Sequence, residues 1–433
     1  MSDQMPALLG GTPIRTAPMP QYNTIGAAEK AAVMDVLDSG ELSGFIASPG
    51  KEFWGGPAVQ RLEQAFCEKF AIKHAVSVNS ATSGLHVALA ATGIGPGDEV
   101  IVPPYTMSAS ATTVLFTGAV PIFADIEDDY FCLDINSVIA NLTPATKAIV
   151  AVNLFGHPAA LVELRALADE RGLYLIEDNS QGPGALCDGK YTATIGHAGI
   201  FSFNRHKTMQ SGEGGVVTTN EDDFALKMQL VRNHGEVVVG PMGIKDLTNT
   251  PGLNYRMTEM EAAVARVQFG RLDELNNARI ELANRLTEGL SQIAGLTPPK
   301  VRENCSHVYY FYPIKFDEAQ ARMPRDLFTR AVQAEGFMLR PGYVKPIYLE
   351  PMYRELKCFG NGHFPFSANA RWPNMPYDVG TCPVVERMSR ELMVTNIVYP
   401  PLTLDVMDSF VEACRKVLES KDDLLASEFA QSA

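Results

Sequence analysis

Lys207 stands in a short polar loop between two apolar runs, residues 198–203 and 216–219, that read as buried strands. A lysine held there is poorly solvated. Desolvation disfavours its ammonium form and lowers its pKa, which makes the amine a nucleophile toward a carbonyl. Upstream, Asp178 lies in Glu177-Asp178-Asn179-Ser180-Gln181, directly after the apolar run 173–176. Ligands of open parallel sheets sit beyond the carboxyl ends of the strands, so a carboxylate there can pair with a cationic ring nitrogen. Further upstream, Asn79-Ser80-Ala81-Thr82-Ser83-Gly84 joins a strand to a helix. Free N–H groups, the helix dipole and small side chains make such a turn an anion site. Taken singly, each feature has a plain competing reading: a solvated loop lysine, a turn-capping aspartate and an ordinary N-cap.

The elements that must position these groups alternate along the chain. Pro57 opens a helix with Val59, Leu62, Phe66 and Phe70 on one face. Strands follow at 75–78, 100–102, 120–124, 147–152 and 173–176, with helices at 82–92, 108–117, 134–141 and 161–171 between them. That alternation predicts an α/β fold whose mostly parallel sheet is covered on both faces. After residue 219 the texture changes. Helix 222–233 and a Gly/Pro-broken loop, 236–252, precede a long helix over 258–277 and another over 278–293. Strand 308–316, helix 325–335 and strand 338–340 predict a compact α+β unit. Residues 355–383 read as irregular, 405–418 as a closing helix and 426–433 as frayed. Residues 1–25 read as an extended arm. The Gly-rich loop 40–57, with Phe45, Phe53 and Trp54, reads as a lid, a subunit contact or a packed surface loop. The division expected is an N-terminal arm and lid over 1–56, a large α/β domain over 57–270 and a small α+β domain over 271–433.

Composition narrows the function classes. The chain has 433 residues, 46% of them hydrophobic and 20% charged, as in an ordinary globular protein with ample core. A formal net charge of −14 argues against a general nucleic-acid binder. Seven cysteines are scattered without a CxxC pair, which predicts a reduced, cytoplasmic protein rather than a disulfide framework. The histidines show no HxxxH or HExxH arrangement, so no zinc site is expected. Neither a signal peptide nor a membrane span is read from the sequence. The glycine run 93–97 follows a helix and precedes a strand, the reverse of the dinucleotide-binding fingerprint.

The order of the three reactive features is what joins them. A phosphate-type turn, a strand-end aspartate and a loop lysine match the three handles of pyridoxal phosphate: its phosphate, ring nitrogen and aldehyde. The motifs Gly95-Pro96-Gly97-Asp98-Glu99-Val100-Ile101, Glu177-Asp178 with Gln181, Ser202-Phe203 with Lys207, Gly212-Glu213-Gly214-Gly215 and Asn254-Tyr255-Arg256-Met257 go further. With them the chain, from about Gly10 to Leu418, resembles the DegT/DnrJ/EryC1/StrS sugar aminotransferases. That resemblance implies a fold-type-I architecture and a pyridoxal-phosphate-dependent transfer of an amino group from glutamate or glutamine to a keto-sugar or keto-cyclitol.

Carried over position by position, the resemblance makes Lys207 the lysine that joins the cofactor's aldehyde and Asp178 the partner of its ring nitrogen. Gln181 falls beside the ring and its phenolic oxygen. Ser80, Ala81, Thr82 and Ser202 form the phosphate cradle. Asn254 reaches the phosphate from a neighbouring subunit, which implies a homodimer with shared active sites. Many members place an aromatic ring over the cofactor after a Pro-x-aromatic-Thr segment. Here Pro104-Tyr105-Thr106 is followed by Met107, so either Met107 or Tyr105 takes that place. His234, Tyr309, Arg340 and Tyr343 are the substrate candidates, while Glu213 and Arg256 read as structural. A sugar dehydratase of the same fold would use histidine in place of the lysine. His206 is adjacent, but the spacing from Ser202 keeps Lys207 in register. A non-catalytic cofactor-binding regulator is a further alternative.

Overall fold

The computed structural model describes residues 5–432. Seven strands form the main sheet: β1 (His74–Val78), β2 (Glu99–Val102), β3 (Val120–Phe123), β4 (Thr146–Val152), β5 (Tyr174–Asp178), β6 (Ala198–Ser202) and β7 (Gly215–Thr219). Their spatial order is β1-β7-β6-β5-β4-β2-β3. The neighbours from β6 across to β3 are parallel, and β7 runs antiparallel to both β6 and β1. Runs such as Val100-Ile101-Val102 are buried on both faces, as crossover helices require of a mostly parallel sheet.

This topology decides where ligands are met. The carboxyl ends of β1, β5 and β6 fall on one edge of the sheet, because β1 and β6 both oppose β7. Residues 79–83, Asp178 and the connection from β6 to β7 therefore share that edge. The connection itself is a hairpin loop between adjacent antiparallel strands, with Ser202 facing Gly215 across its mouth.

A second sheet, entirely antiparallel, has the order β8 (Leu296–Thr297), β9 (Tyr312–Phe316), β11 (Leu392–Thr395), β10 (Arg340–Pro341). The helices Leu272–Leu290, Arg325–Ala334 and Leu404–Glu419 pack on it through Leu286, Phe328 and Phe410. The N-terminal arm returns to this sheet's core, where Leu9, Ile14, Met19 and Tyr22 pack. The buried carboxylate of Glu335 fixes the arm by accepting from Ala7 N (2.8 Å) and Ile14 N (3.0 Å), and it pairs with Lys416 (3.0 Å).

Several boundaries differ from those the sequence predicts. The long helix breaks at Arg271 rather than after residue 277, because Gly270 ends the helix Glu259–Gly270. Strand β9 starts at Tyr312 rather than 308, since Tyr309 adopts a left-handed backbone (φ 51°) that no strand tolerates. Helix Lys421–Ser432 replaces the frayed end, with Leu424 buried in the second core; Ala433 lies outside the described residues, as do residues 1–4 of the arm. The irregular stretch 355–383 packs on the main sheet, where Tyr377 meets Phe123 and Arg371 pairs with buried Glu99 at 2.7 Å. Phe45 and Phe53 of loop 40–57 are buried, the first beneath the Arg232 guanidinium. Among the described residues no helix is long and apolar enough to cross a membrane.

Candidate active site

Lys207 sits in the β6–β7 hairpin loop, which its own backbone holds in place. Lys207 N donates to Asn204 O (2.9 Å), Ser211 N to Phe203 O (2.9 Å), and Asn204 Nδ2 to Glu213 Oε1 (2.9 Å). Tyr22 of the arm clasps the loop from outside through Thr208 O. Glu213 thus braces the loop. Gly214 takes φ 133°, and a Cβ on Gly215 would lie 2.8 Å from Phe201 O and 2.9 Å from Ala81 N. Only glycine fits where the hairpin mouth meets the first turn of helix Ala81–Ala91.

The Lys207 amine rests 4.4 Å from the centre of the Tyr310 ring. Burial lowers its pKa from 10.5 to about 8, against the opposing pull of the Asp178 carboxylate. Asp178, the last residue of β5, is buried. It accepts from Ser110 Oγ (2.8 Å) and from Ser180 N (3.2 Å). Its neighbour Glu177 faces the opposite side of the strand and serves the fold, accepting from the N–H groups of Ala193, Ile195 and Gly196.

Next to Asp178 runs a chain of hydrogen bonds. Phe155 N donates to Gln181 Oε1 (2.8 Å), Gln181 Nε2 to the Tyr343 hydroxyl (3.1 Å), and Tyr343 N to the Tyr105 hydroxyl (3.0 Å). Burial pushes the Tyr105 and Tyr343 phenols up to about 12, so both remain neutral near pH 7.

At β1, Ser80 caps the helix Ala81–Ala91 by accepting from Ser83 N at 3.1 Å. The first N–H groups of that helix, including those of Ala81 and Thr82, have no carbonyl four residues back. Ser80 bridges Gly214 while Ser202 faces Gly215, so the cap and Ser202 lie side by side. Lys207, Asp178, Gln181, Tyr343, Tyr105 and the Ser80–Ser202 turn are thus brought to one sheet edge.

Other predicted positions fall elsewhere. Met107 lies on the surface, 62% exposed. Asn254 is also exposed and accepts from Arg256 Nε at 2.8 Å, which gives Arg256 a bracing part. His234 lies on the loop after helix Asp222–Arg232, 3.7 Å from Glu236, and none of the contacts above reaches it. Arg340 is exposed, its guanidinium 5.5 Å from the Phe311 ring. Tyr309 stacks on His307 at 3.9 Å and packs in the second core. Its left-handed backbone turns the chain so that the next residue, Tyr310, meets Lys207. Sequence reasoning missed both Tyr310 and Ser110. The only signal for Ser110 was a serine opening a helix just after Pro104-Tyr105-Thr106.

Beyond Tyr310 opens a cavity of about 580 Å³, lined among others by Tyr22, His206, Arg279, Asn396 and Tyr399. Arg279 is 4% exposed; its guanidinium lies 4.7 Å from the centre of the Tyr22 ring, and its Nη1 reaches the carbonyls of Tyr309 (3.4 Å) and Val398 (3.3 Å). Its Nε has no partner among the described residues.

These residues fit pyridoxal phosphate. The turn offers unpaired helix N–H groups to a phosphate, Asp178 a fixed carboxylate to a ring nitrogen, and Lys207 an amine neutral at mildly alkaline pH. Thr106 and Thr208, beside Tyr105 and Lys207 in the chain, each bury a hydroxyl with no partner among the described residues, which a bound polar group can supply.

Known proteins agree. The chain is 34% identical to the L-glutamine:2-deoxy-scyllo-inosose aminotransferase of Streptomyces kanamyceticus, over 97% of this chain and 98% of that protein. It is 36% identical to the GDP-perosamine synthase of Caulobacter vibrioides, over 70% and 80%. Its fold matches the crystal structure of DesI in the presence of its TDP-sugar product, with a TM-score of 0.80, 27% identity and 99% of each chain covered. Residues 25–397 match the description of one family throughout. The chain belongs to the DegT/DnrJ/EryC1/StrS aminotransferase family and is a pyridoxal-phosphate-dependent transaminase.

Proposed function

We propose that this enzyme moves an amino group from L-glutamate or L-glutamine to the keto group of a sugar or cyclitol. The similar proteins named above support both acceptor classes, one being a GDP-perosamine synthase and another an inosose aminotransferase. The observation that carries the reading is the Lys207 amine set 4.4 Å from the centre of the Tyr310 ring, in the field of the buried Asp178 carboxylate and with its pKa lowered to about 8. When bound, the cofactor supplies the electron sink for the carbanion formed at the donor carbon.

The chain's own residues do the rest. Lys207 Nζ takes the proton from the donor carbon and returns it on the other side of the transfer. A base whose pKa lies near the working pH suits both directions. Asp178, oriented by Ser110, would offer its carboxylate to the ring nitrogen. Ser80, Ser202 and the first turn of helix Ala81–Ala91 would hold the phosphate. Tyr343 and Gln181, hydrogen-bonded to each other, would supply neutral donors beside the ring. Tyr105 is enclosed and Met107, two residues on, has free surface, so of the two Met107 would be the one open to stacking on the ring. The cavity beyond Tyr310 receives the acceptor, with Asn396 available to hydroxyl groups and Arg279 to an anionic substituent. His206 is exposed, which favours transamination by Lys207 over a histidine-based dehydration.

A half-reaction tests this. Protein loaded with pyridoxal phosphate and given only L-glutamate or L-glutamine should release one keto acid per active site. Adding a keto-sugar or keto-cyclitol should then restart turnover. No keto acid from either donor would refute the assignment.

A homodimer belongs to the same reading, as does a cytoplasmic location, which the seven free cysteines support. Asn254 and Met107, two cofactor residues by resemblance, are surface residues of the single chain, as they would be if a second subunit completes each site. Mixing equal amounts of Lys207→Ala and Asn254→Ala subunits should then regain about a quarter of the wild-type sites, through mixed dimers that carry one intact site each. Activity no higher than that of the separate variants after exchange would exclude shared sites.

A further inference from the structure

We propose that Cys187 and Cys305 are a site of reversible thiol oxidation, at which a small disulfide reagent of the oxidised-glutathione type joins them in a disulfide. In the chain they are far apart. Cys187 lies on a short hairpin, Leu186–Cys187 with Lys190–Tyr191, that follows the Asp178 loop. Cys305 lies on the segment that runs from β8 to β9.

In space they face each other directly, as an isolated antiparallel bridge. Asp188 N donates to Asn304 O (3.0 Å) and Ser306 N to Leu186 O (2.8 Å). These bonds flank the pair instead of joining it, so the two cysteines form a non-hydrogen-bonded antiparallel pair. In such pairs the Cα atoms stand about 4.5 Å apart and the side chains approach most closely. Disulfides span Cα separations of roughly 4.4–6.8 Å, so the bond needs little backbone movement. Ser306 Oγ accepts from Leu186 N (2.8 Å), which fixes the register of the pair.

Access sets the order of events. Cys187 is buried, whereas Cys305 is half-exposed and is the entry point. The Cys305 thiolate attacks one sulfur of the reagent, forming a mixed disulfide and expelling one small thiol. The Cys187 thiolate then attacks Cys305 Sγ, forms the protein disulfide and expels the second small thiol. Two protein thiols are oxidised, one reagent disulfide is reduced to two thiols, and the two protons lost by the protein thiols end on the expelled thiolates. Burial raises the pKa of both cysteines, so the exchange is slow and calls for excess reagent.

The bond would pin a strap that serves the active site. Just past Cys305, Val308 N donates to Gly156 O (3.0 Å) and Tyr310 N to Phe155 O (2.8 Å), and Tyr310 carries the Lys207 contact. A cross-link here ties that strap to the main-sheet side of the molecule and closes a long loop. The midpoint of thermal unfolding should rise by about 5 °C.

The test uses the full-length holoenzyme, equilibrated with excess oxidised glutathione and then alkylated. Peptide mapping without reduction should return a single linked pair, Cys187 with Cys305, reversible by dithiothreitol. Cys187→Ser and Cys305→Ser should each remove both the linked peptide and the rise in midpoint, while retaining a native unfolding transition. Absence of that linked peptide from folded holoenzyme overturns the proposal, as does a link from Cys305 to buried Cys132 instead.

Discussion

Lys207→Ala should lower turnover by about 10⁴-fold or more, because one substitution removes both the covalent anchor for the cofactor and the group that moves the proton. The variant should still bind pyridoxal phosphate through the Ser80–Ser202 turn and Asp178, but without the visible absorption of the wild-type holoenzyme. Steady-state rates and an absorption spectrum check this together. A variant within tenfold of wild type would remove Lys207 from the mechanism.

The pKa of Lys207 adds a signature in pH. Only the neutral amine attacks an aldehyde, so cofactor uptake by the cofactor-free protein should speed up as pH rises toward about 8 and level off above it. Stability follows the same group. Lys207 binds its proton less tightly folded than unfolded, so between about 8 and 10.5 the unfolded chain holds more protons. Its contribution to stability therefore improves as pH climbs through that window, and its cost is fully present below it. At pH 7 the cofactor-free alanine variant should thus resist denaturant better than the cofactor-free wild type. That is the usual relation between a strained functional group and the fold that carries it.

Asp178→Asn is expected to cost about 10²- to 10³-fold in turnover, with a much smaller effect on the folding midpoint. Asparagine keeps the size of the side chain and one oxygen for Ser110, so geometry is largely retained. What it loses is the fixed negative charge that keeps a ring nitrogen protonated. Donor keto-acid release, measured in a single turnover, should slow by the same factor as steady-state turnover. An unchanged single-turnover rate would move Asp178 from the chemistry to the fold.

Much of this site was legible in the chain because its reactive residues end buried strands. Runs such as Leu175-Ile176 and Ile200-Phe201 are apolar throughout, and the strand-end polar residues Asp178 and Ser202 that close them mark the ligand edge. Pro57, Asp134 and Gly172 bounded helices for equally local reasons, and the structure keeps all three at helix ends. What stayed hidden depends on long-range packing. Tyr309 and Tyr310 are the same residue type side by side, and only the left-handed backbone of the first decides which one meets Lys207. Ser110 reads as any helix-opening serine until β5 is laid beside it. Cys187 and Cys305 look unrelated because their strands meet only in three dimensions.

The anchoring of the arm at Glu335 has a consequence for synthesis. Ala7 and Ile14 leave the ribosome long before their acceptor Glu335 and its partner Lys416. The main sheet, whose strands all lie between residues 74 and 219, has its complete strand set long before then. The core of the second sheet closes only when the arm meets Glu335, across separations of 328 and 321 residues, so its assembly waits on contacts distant in sequence. Until they form, Tyr22 has no settled place from which to clasp the Lys207 loop. Lys207 therefore sits in a loop whose outer clasp depends on the arm, and a truncation that spared every residue of the candidate site but removed Lys416 would take away one of the arm's anchors.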